Sequence, residues 1–296
     1  MAHDASRSTG AGPLARAPSG GLVVGAIASV QFGSSLAATL FERLGPAGTV
    51  FLRLLSAAIV LGLLWRPALR GRSRQELALA GVFGLVLAAM NLTFYEALAR
   101  IPLGIAVAVE FVGPLAVALA GSRRPVDLLW MALALAGILA LTHVGGHGLD
   151  GLGIAFALTA GCLWGSYIVL NARLGRAFEG STGLALAMVP AAVVALPFGI
   201  VAGGAHLLEP SSLALGAAVG ILSSVIPYSF ELEALRRIAP PTFGVLMSLE
   251  PAVAALAGFL VLGQALGPRA LIGIALVMAA SIGASRSAST PPVALQ

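Results

Sequence analysis

Two glutamates lie in the middle of strongly apolar stretches, each just before a proline. Glu110 precedes Gly113-Pro114 by three residues, and Glu250 directly precedes Pro251. An ionisable group this deep in an apolar segment is costly and usually marks a functional site. A buried carboxyl group tends to keep its proton unless it is paired, so each glutamate is a candidate ligand for an ammonium group or a carrier of protons. The alternative is structural, a protonated glutamate hydrogen-bonded to a neighbouring helix.

The stretch around the first glutamate recurs in the second half of the chain. A shift of 137 positions aligns residues 96–121 with residues 233–258 without a gap. The two glutamates do not coincide under this shift, because Glu250 falls on Gly113. They are offset by one helical turn, so they share a helix face without sharing a repeat position.

The two matched prolines predict helix interruptions. Proline has no backbone N–H and frees a carbonyl group one turn earlier, so we expect breaks at Gly113-Pro114 and at Pro251. A tolerated kink is the alternative for either proline taken alone. The matched pair, with a carboxylate beside each, favours a functional interruption.

A buried arginine is the third candidate for chemistry. Arg53 lies about 10 Å inside another apolar run, at a rise of 1.5 Å per residue. Three interpretations stay open: the side chain snorkels outward, pairs with a glutamate, or binds the carboxylate of a ligand.

Further polar side chains occupy helical faces of the apolar runs. They predict the wall of a polar cavity, or alternatively a seam of small residues with hydrogen bonds between helices. The residues are Gln31, Ser34, Asn91, Tyr95, Trp164, Tyr167 and Tyr228. Four other acidic residues lie near helix ends, where we expect solvated or snorkelling carboxylates: Glu96, Asp127, Glu231 and Glu233.

Composition places the elements that carry these residues in a lipid bilayer. Hydrophobic residues make up 58% and charged residues 10% of the chain, whereas soluble domains carry about 25% charged residues. The apolar runs, each near the ~20 residues that cross a bilayer, are 21–41, 47–65, 76–97, 102–121, 126–143, 151–170, 183–203, 212–232, 240–262 and 268–285. The sequence therefore predicts an all-α integral membrane protein with ten transmembrane helices.

The arginines orient these helices. The chain has no Lys, and with a cytoplasmic N-terminus thirteen of its 17 basic residues fall on the cytoplasmic side, three on the other side and one within a span. This positive-inside bias predicts that both termini are cytoplasmic. Because five helices, an odd number, separate repeated positions, the two copies cross in opposite directions as inverted five-helix repeats.

The predicted domains follow from this arrangement. Residues 1–19 form a disordered cytoplasmic tail, 20–145 the first five-helix repeat, 150–286 the second repeat, and 287–296 a second cytoplasmic tail.

Other classes of function fit the sequence poorly. The arginines are spread as pairs over short loops, which does not favour nucleic-acid binding. The single Cys162 excludes an intramolecular disulfide and a cysteine-based metal cluster. The spans contain no Ser/His pair, paired aspartates or metal-ligand spacing, so we expect neither an intramembrane enzyme nor a cofactor. A membrane scaffold would not need two central carboxylates beside prolines.

The pattern resembles the drug/metabolite transporter superfamily, in its EamA-type branch, with ten helices in two inverted copies. Several stretches are more specifically similar to the inner-membrane threonine/homoserine exporters of that branch. These stretches are 28–31 followed by Gly33, 102–111, 113–119, 122–127, 227–229, 242–244 and 246–252.

The resemblance implies a secondary exporter of small neutral amino acids, coupled to protons and located in the bacterial cytoplasmic membrane. The amino acid would bind between the repeats, with its ammonium group near Glu110 or Glu250 and its carboxylate near Arg53 or helix-end amides. Rocking of the repeats would alternate access. The alternative is an exporter or facilitator of another small amphipathic metabolite or drug, because one scaffold serves many substrates. A homodimer is left open.

Overall fold

The computed structural model describes residues 18–67, 71–120, 125–142, 150–179, 181–235, 237–238 and 240–288, and all regular secondary structure within these ranges is helical. The α-helices are α1 (Ser19–Ala38), α2 (Phe41–Trp65), α3 (Arg74–Leu98), α4 (Leu103–Glu110), α5 (Val112–Ala120), α6 (Val126–Thr142), α7 (Gly151–Ala177), α8 (Thr182–Gly203), α9 (Pro210–Gly220), α10 (Ile226–Leu235), α11 (Pro240–Met247), α12 (Glu250–Leu262) and α13 (Pro268–Ala288). A 3-10 turn, Gly204–Leu208, follows α8, and a π-helical turn, Ile221–Val225, joins α9 to α10. Most of both predicted tails, residues 1–17 and 289–296, lies outside the described residues.

Polar capping residues explain where two long helices begin. Ser73 accepts a hydrogen bond from the backbone N–H of Glu76, whose side chain accepts one from the N–H of Ser73, so a complete capping box starts α3. Asp150 accepts from the N–H groups of Leu152 and Gly153 at the start of α7.

The surface of the helical bundle is apolar. Large side chains such as Val201, Leu63 and Ile59 are exposed, the first of them by 88%. Among the described residues, eight helical segments are long and apolar enough to cross a membrane, and two shorter apolar helices span Leu103–Val117 and Val126–Leu141. The prediction of an all-α membrane protein is confirmed, whereas ten spans in inverted repeats stay a prediction.

Two helix breaks lie at equivalent positions of the sequence repeat. The first is the turn at Phe111 between α4 and α5, and the second is the turn at Ser248 and Leu249 between α11 and α12. Phe111 and Ser248 are 137 residues apart, the spacing of the repeat.

The prolines do not sit in these breaks, which corrects the prediction. Gly113 and Pro114 lie in the first turn of α5, and Pro251 lies in the first turn of α12. A first turn tolerates proline because its N–H groups have no partner within the helix. Each proline therefore permits a new helix to begin just after the break.

Small residues bring helices of the two halves into close contact at the centre. A Cβ atom on Gly113 would lie 1.8 Å from the carbonyl oxygen of Gly161, so α5 and α7 touch through their backbones. A Cβ atom on Gly104 would lie 2.8 Å from the Cα atom of Ala255, so α4 also packs closely on α12. All eight residues of α4 are buried, so this short helix is the core of the bundle.

Candidate functional site

A cavity of about 630 Å³ lies inside the bundle. That volume lies within the range of about 300–1,000 Å³ found for small-molecule sites. Ten of the thirteen candidate site residues predicted from the sequence line it: Gln31, Ser34, Arg53, Asn91, Glu110, Pro114, Trp164, Tyr167, Tyr228 and Glu250. Three others, Tyr95, Gly113 and Pro251, do not.

The cavity extends from the centre of the bundle toward the end at which α7 and α13 finish. Along α7 its lining runs from Trp164 to Asn171, and along α13 from Ser281 to Ser285, in both cases toward the C-terminal end of the helix. On α11, which runs antiparallel to α13, Phe243 lies on the same side as Ser285, since a Cβ atom on Gly244 would lie 2.9 Å from the Ser285 hydroxyl oxygen.

Glu250 is fixed by a hydrogen bond across the bundle. The side-chain N–H of Gln31 on α1 donates to Oε1 of Glu250 at 3.0 Å. The other two oxygens, Oε1 of Gln31 and Oε2 of Glu250, are sealed from solvent and have no hydrogen-bond partner among the described residues. A sealed acceptor without a partner costs about 1–3 kcal/mol. Glu250 lies at the start of α12, and a helix start favours a nearby negative charge by only about 0.3–1 kcal/mol. This effect does not offset the cost of the unpaired oxygens.

Glu110 has different surroundings. It is the last residue of α4, and its backbone is pressed against α7, where a Cβ atom on Gly161 would lie 2.6 Å from the Glu110 carbonyl oxygen. Among the described residues its carboxylate makes no hydrogen bond, and its oxygens are not sealed, so they face the cavity. The edge-to-face pair of Phe111 and Trp164, with ring centroids 5.3 Å apart, also borders the cavity.

Arg53 is held inside the bundle, which excludes the snorkelling interpretation. Its guanidinium donates to the Tyr95 hydroxyl at 3.0 Å, the Ser223 carbonyl oxygen at 2.9 Å and the Ser224 hydroxyl at 3.4 Å. It makes no ion pair with any described carboxylate, so the pairing interpretation is also excluded within that part of the chain. Three of its five N–H donors are used, and its side chain lines the cavity.

Tyr95 supports the site from behind. The tyrosine is fully buried, and the Arg53 guanidinium lies 5.5 Å from the centre of its ring. The prediction that Tyr95 lines the cavity is therefore wrong, although its hydroxyl orients a residue that does. Gly113 and Pro251 likewise shape the helices without reaching the cavity.

Asn91 turns part of its amide back onto its own helix. The Asn91 amide N–H donates to the Leu87 carbonyl oxygen at 2.8 Å, and the side chain lines the cavity. Tyr167 packs on Phe83 with ring centroids 5.0 Å apart. The hydroxyl groups of Tyr167 and Tyr228 are neighbours across the cavity.

Sequence reasoning missed part of the lining. Glu231 was expected at a solvated helix end, yet it borders the cavity near Tyr167, Tyr228 and Glu250. The signal was available, because Glu231 follows Tyr228 by three residues and therefore shares its helix face. Ser223 was not singled out because the π-helical turn that presents it has no clear pattern in the sequence.

The site offers carboxylates and one guanidinium rather than a metal cage. Among the described residues no group of three His, Cys, Asp or Glu side chains could hold a metal ion. An arrangement of separated negative and positive groups in a mostly apolar cavity suits a small organic molecule with charges of both signs.

The fold and the cavity define a class, that of multi-pass membrane transporters. A family model described as the EamA-like transporter family matches residues 151–286. The chain is 43% identical over 264 residues to the threonine/homoserine exporter RhtA of Escherichia coli (strain K12), covering 88% of each chain. It is 42% identical over 271 residues to RhtA of Salmonella typhimurium (strain SL1344), covering 90% of this chain and 91% of that one.

A solved crystal structure of another protein supports the fold alone. It has a TM-score of 0.62 at 19% sequence identity and covers 91% of this chain and 99% of its own. The chain belongs to the EamA-like transporter family of the drug/metabolite transporter superfamily and is RhtA-like within it. It is a transporter and not an enzyme.

Proposed function

We propose that this transporter exports small neutral amino acids, with threonine and homoserine as its substrates, in exchange for protons. The substrates are suggested by the 43% identity, over 88% of both chains, to a protein named as a threonine/homoserine exporter. The geometry carries the proposal further, because Arg53 and Glu110 line one cavity without pairing with each other. A zwitterion needs both kinds of group.

The amino acid would bind with its ammonium group at Glu110 and its carboxylate at Arg53. The Glu110 oxygens face the cavity, and the Arg53 guanidinium keeps unused donors in a geometry that suits a carboxylate. Asn91, Trp164, Tyr167 and Tyr228 would surround the side chain of the substrate.

The proposed architecture is ten spans in two inverted repeats, 20–145 and 150–286. Eight long helical segments and two shorter apolar ones support the count. Contacts between helices support the symmetry. In the repeat, α3 corresponds to α10, α5 to α12, and α7 to α1. The structure has both members of each related pair of contacts: α3 with α7 and α10 with α1, and α5 with α7 and α12 with α1. Alternating access would follow from rocking one repeat against the other around α4 and α12.

The proposed location is the bacterial cytoplasmic membrane with both termini inside. The arginine bias supports it. Under this orientation the C-terminal ends of α7 and α13, toward which the cavity extends, lie on the cytoplasmic side, from which an exporter loads. Protons, the lipid bilayer and an amino acid are the proposed partners.

The test is efflux of labelled amino acids from preloaded cells with and without the protein. We expect faster efflux of threonine and homoserine. The Arg53→Lys variant should lower it by at least about tenfold, because Lys loses the planar fork and a charged hydrogen bond contributes about 1.5–3 kcal/mol. Arg269→Lys at the exposed start of α13 is the matched control and should leave efflux unchanged. Equal efflux with and without the protein would exclude threonine and homoserine as substrates.

A further inference from the structure

Two buried oxygen atoms beside the hydrogen bond between Gln31 and Glu250 indicate the protonation state of Glu250. Gln31 donates through Nε2 to Oε1 of Glu250 at 3.0 Å, while Oε1 of Gln31 and Oε2 of Glu250 have no partner among the described residues. Both residues are at least nine-tenths buried, with exposures of 2% and 7%. If Glu250 were ionised, both oxygens would be acceptors only, and neither would be satisfied.

A single proton satisfies both atoms. A carboxyl group that carries its proton on Oε2 can donate to Oε1 of Gln31 while it accepts from Nε2, which gives a cyclic acid–amide pair. The terminal torsions of Glu and Gln are soft, so the two planar groups can align at small cost. We infer that Gln31 and Glu250 form this pair, and that Glu250 is the carboxyl group that carries the coupled proton.

The charged neighbours do not supply another solution. Glu110 on α4 and Glu231 on α10 line the same cavity, and a second or third negative charge would oppose ionisation of Glu250. Tyr228 on α10 is neutral as a phenol. Among the described residues Arg53 on α2 is the cation that lines this cavity, and its hydrogen bonds go to Tyr95, Ser223 and Ser224 rather than to Glu250.

The pairing of Glu250 with Gln31 gives the two central glutamates different roles, and these roles rest on the proposed exchange of amino acid for protons. Glu110 is open to the cavity and takes the ammonium group of the substrate. Glu250 stores a proton on α12 against α1, and the proton passes to water in the cavity when the two helices separate. Gln31 is then a positioning residue, since it acts on the proton only through Glu250.

The experiment is infrared difference spectroscopy on the purified full-length protein in liposomes, without substrate. We expect a carbonyl band of a protonated carboxylic acid that persists at neutral pH and disappears in Glu250→Gln. Gln31→Leu should shift the band and move its pH dependence. The Glu110→Gln variant is the matched control and should leave the band in place.

An exchange of the two residues tests the pair itself. The double variant Q31E/E250Q moves the carboxyl group to α1 and the amide to α12, so the band should return and proton-driven threonine efflux should exceed that of Glu250→Gln. A band that vanishes in Glu110→Gln, or that the double variant fails to restore, would overturn the inference. Because the band is read without substrate, its presence together with absent threonine efflux would reject the proposed substrate and keep the pair.

Discussion

The same position of the sequence repeat is occupied by a glycine in one half and a glutamate in the other. Gly113 lies against Gly161, and this contact brings the backbones of α5 and α7 together. Glu250 lies against Gln31, and a hydrogen bond joins α12 to α1. One turn earlier the carboxylate is in the first half instead, because Glu110 corresponds to Met247 in the second half.

The difference shows how a duplicated scaffold can hold an asymmetric site. The repeat keeps the helix breaks at Phe111 and Ser248 in register, so both halves present a helix start to the centre. Which side of the break carries the carboxylate differs between the halves. Glu110 ends a helix and faces the cavity, whereas Glu250 begins one and is tied to a neighbour. An amino acid, with two different ends, needs such inequality.

The largest effect is expected from removing the open carboxylate. Glu110→Gln should lower the affinity for threonine by roughly ten- to hundredfold, because a hydrogen bond to a charged group contributes about 1.5–3 kcal/mol. Equilibrium binding of labelled threonine to the purified protein measures this loss. The control is Glu233→Gln on α10, which removes a carboxylate outside the cavity lining. Unchanged binding in Glu110→Gln would assign the ammonium group to another residue.

A smaller effect is expected from disturbing the backbone contact that positions this carboxylate. In Gly161→Ala the new Cβ atom would lie 2.6 Å from the Glu110 carbonyl oxygen, and overpacking of this kind costs about 1–3 kcal/mol. Thermal unfolding in detergent should therefore begin at a lower temperature.

Gly175→Ala on the same helix has open space around the new methyl group and serves as the matched control. Alanine also favours helix formation over glycine, so this variant should be as stable as the parent protein. Equal unfolding temperatures for the two variants would mean that the end of α4 at Glu110 does not touch α7 as described.

The smallest effect is expected from a glutamate outside the cavity. It distinguishes the pH dependence that arises from surface carboxylates from that of the two central glutamates. Glu209 lies between α8 and α9, where hydrogen bonding from His206 at 2.6 Å, aided by the charge of Arg43, holds its pKa below the ordinary value of 4.5. A lowered pKa in the folded state adds stability above that ordinary value, and the contribution disappears as the pH falls through the lower one.

Glu209→Gln should therefore lower the unfolding temperature slightly at neutral pH and flatten its fall in acid. The control is Glu42→Gln, at an exposed glutamate in the first turn of α2, which should leave the profile unchanged. A Glu209→Gln profile identical to that of the parent protein would mean that the contact with His206 contributes no stability.

Composition and periodicity predicted the membrane fold, because apolar runs near 20 residues long have few other uses. The repeat predicted that two breaks would match, but their position was displaced, since proline marks the first turn of a helix as well as its interruption. Tyr95 shares a helix face with Asn91, yet the structure buries it beneath Arg53. Helical spacing identifies a face without telling how deeply each residue is covered.

The contact between Gln31 and Glu250 could not be predicted from local pattern. The two residues are 219 positions apart, and only the crossing of α1 and α12 joins them. Glu231 shows the opposite case, in which the helical face was visible but its end position suggested solvent. The cavity extends to that end of the bundle, so a residue near a helix end can still line it.

The central claim is that the two glutamates do different work, and transport in liposomes tests it most directly. Each variant, Glu110→Gln and Glu250→Gln, would be measured in threonine counterflow without a pH gradient and in transport driven by one. The account predicts that Glu250→Gln keeps counterflow and loses the response to the gradient, whereas Glu110→Gln loses both. Equal losses in the two variants, or counterflow that survives only in Glu110→Gln, would contradict it.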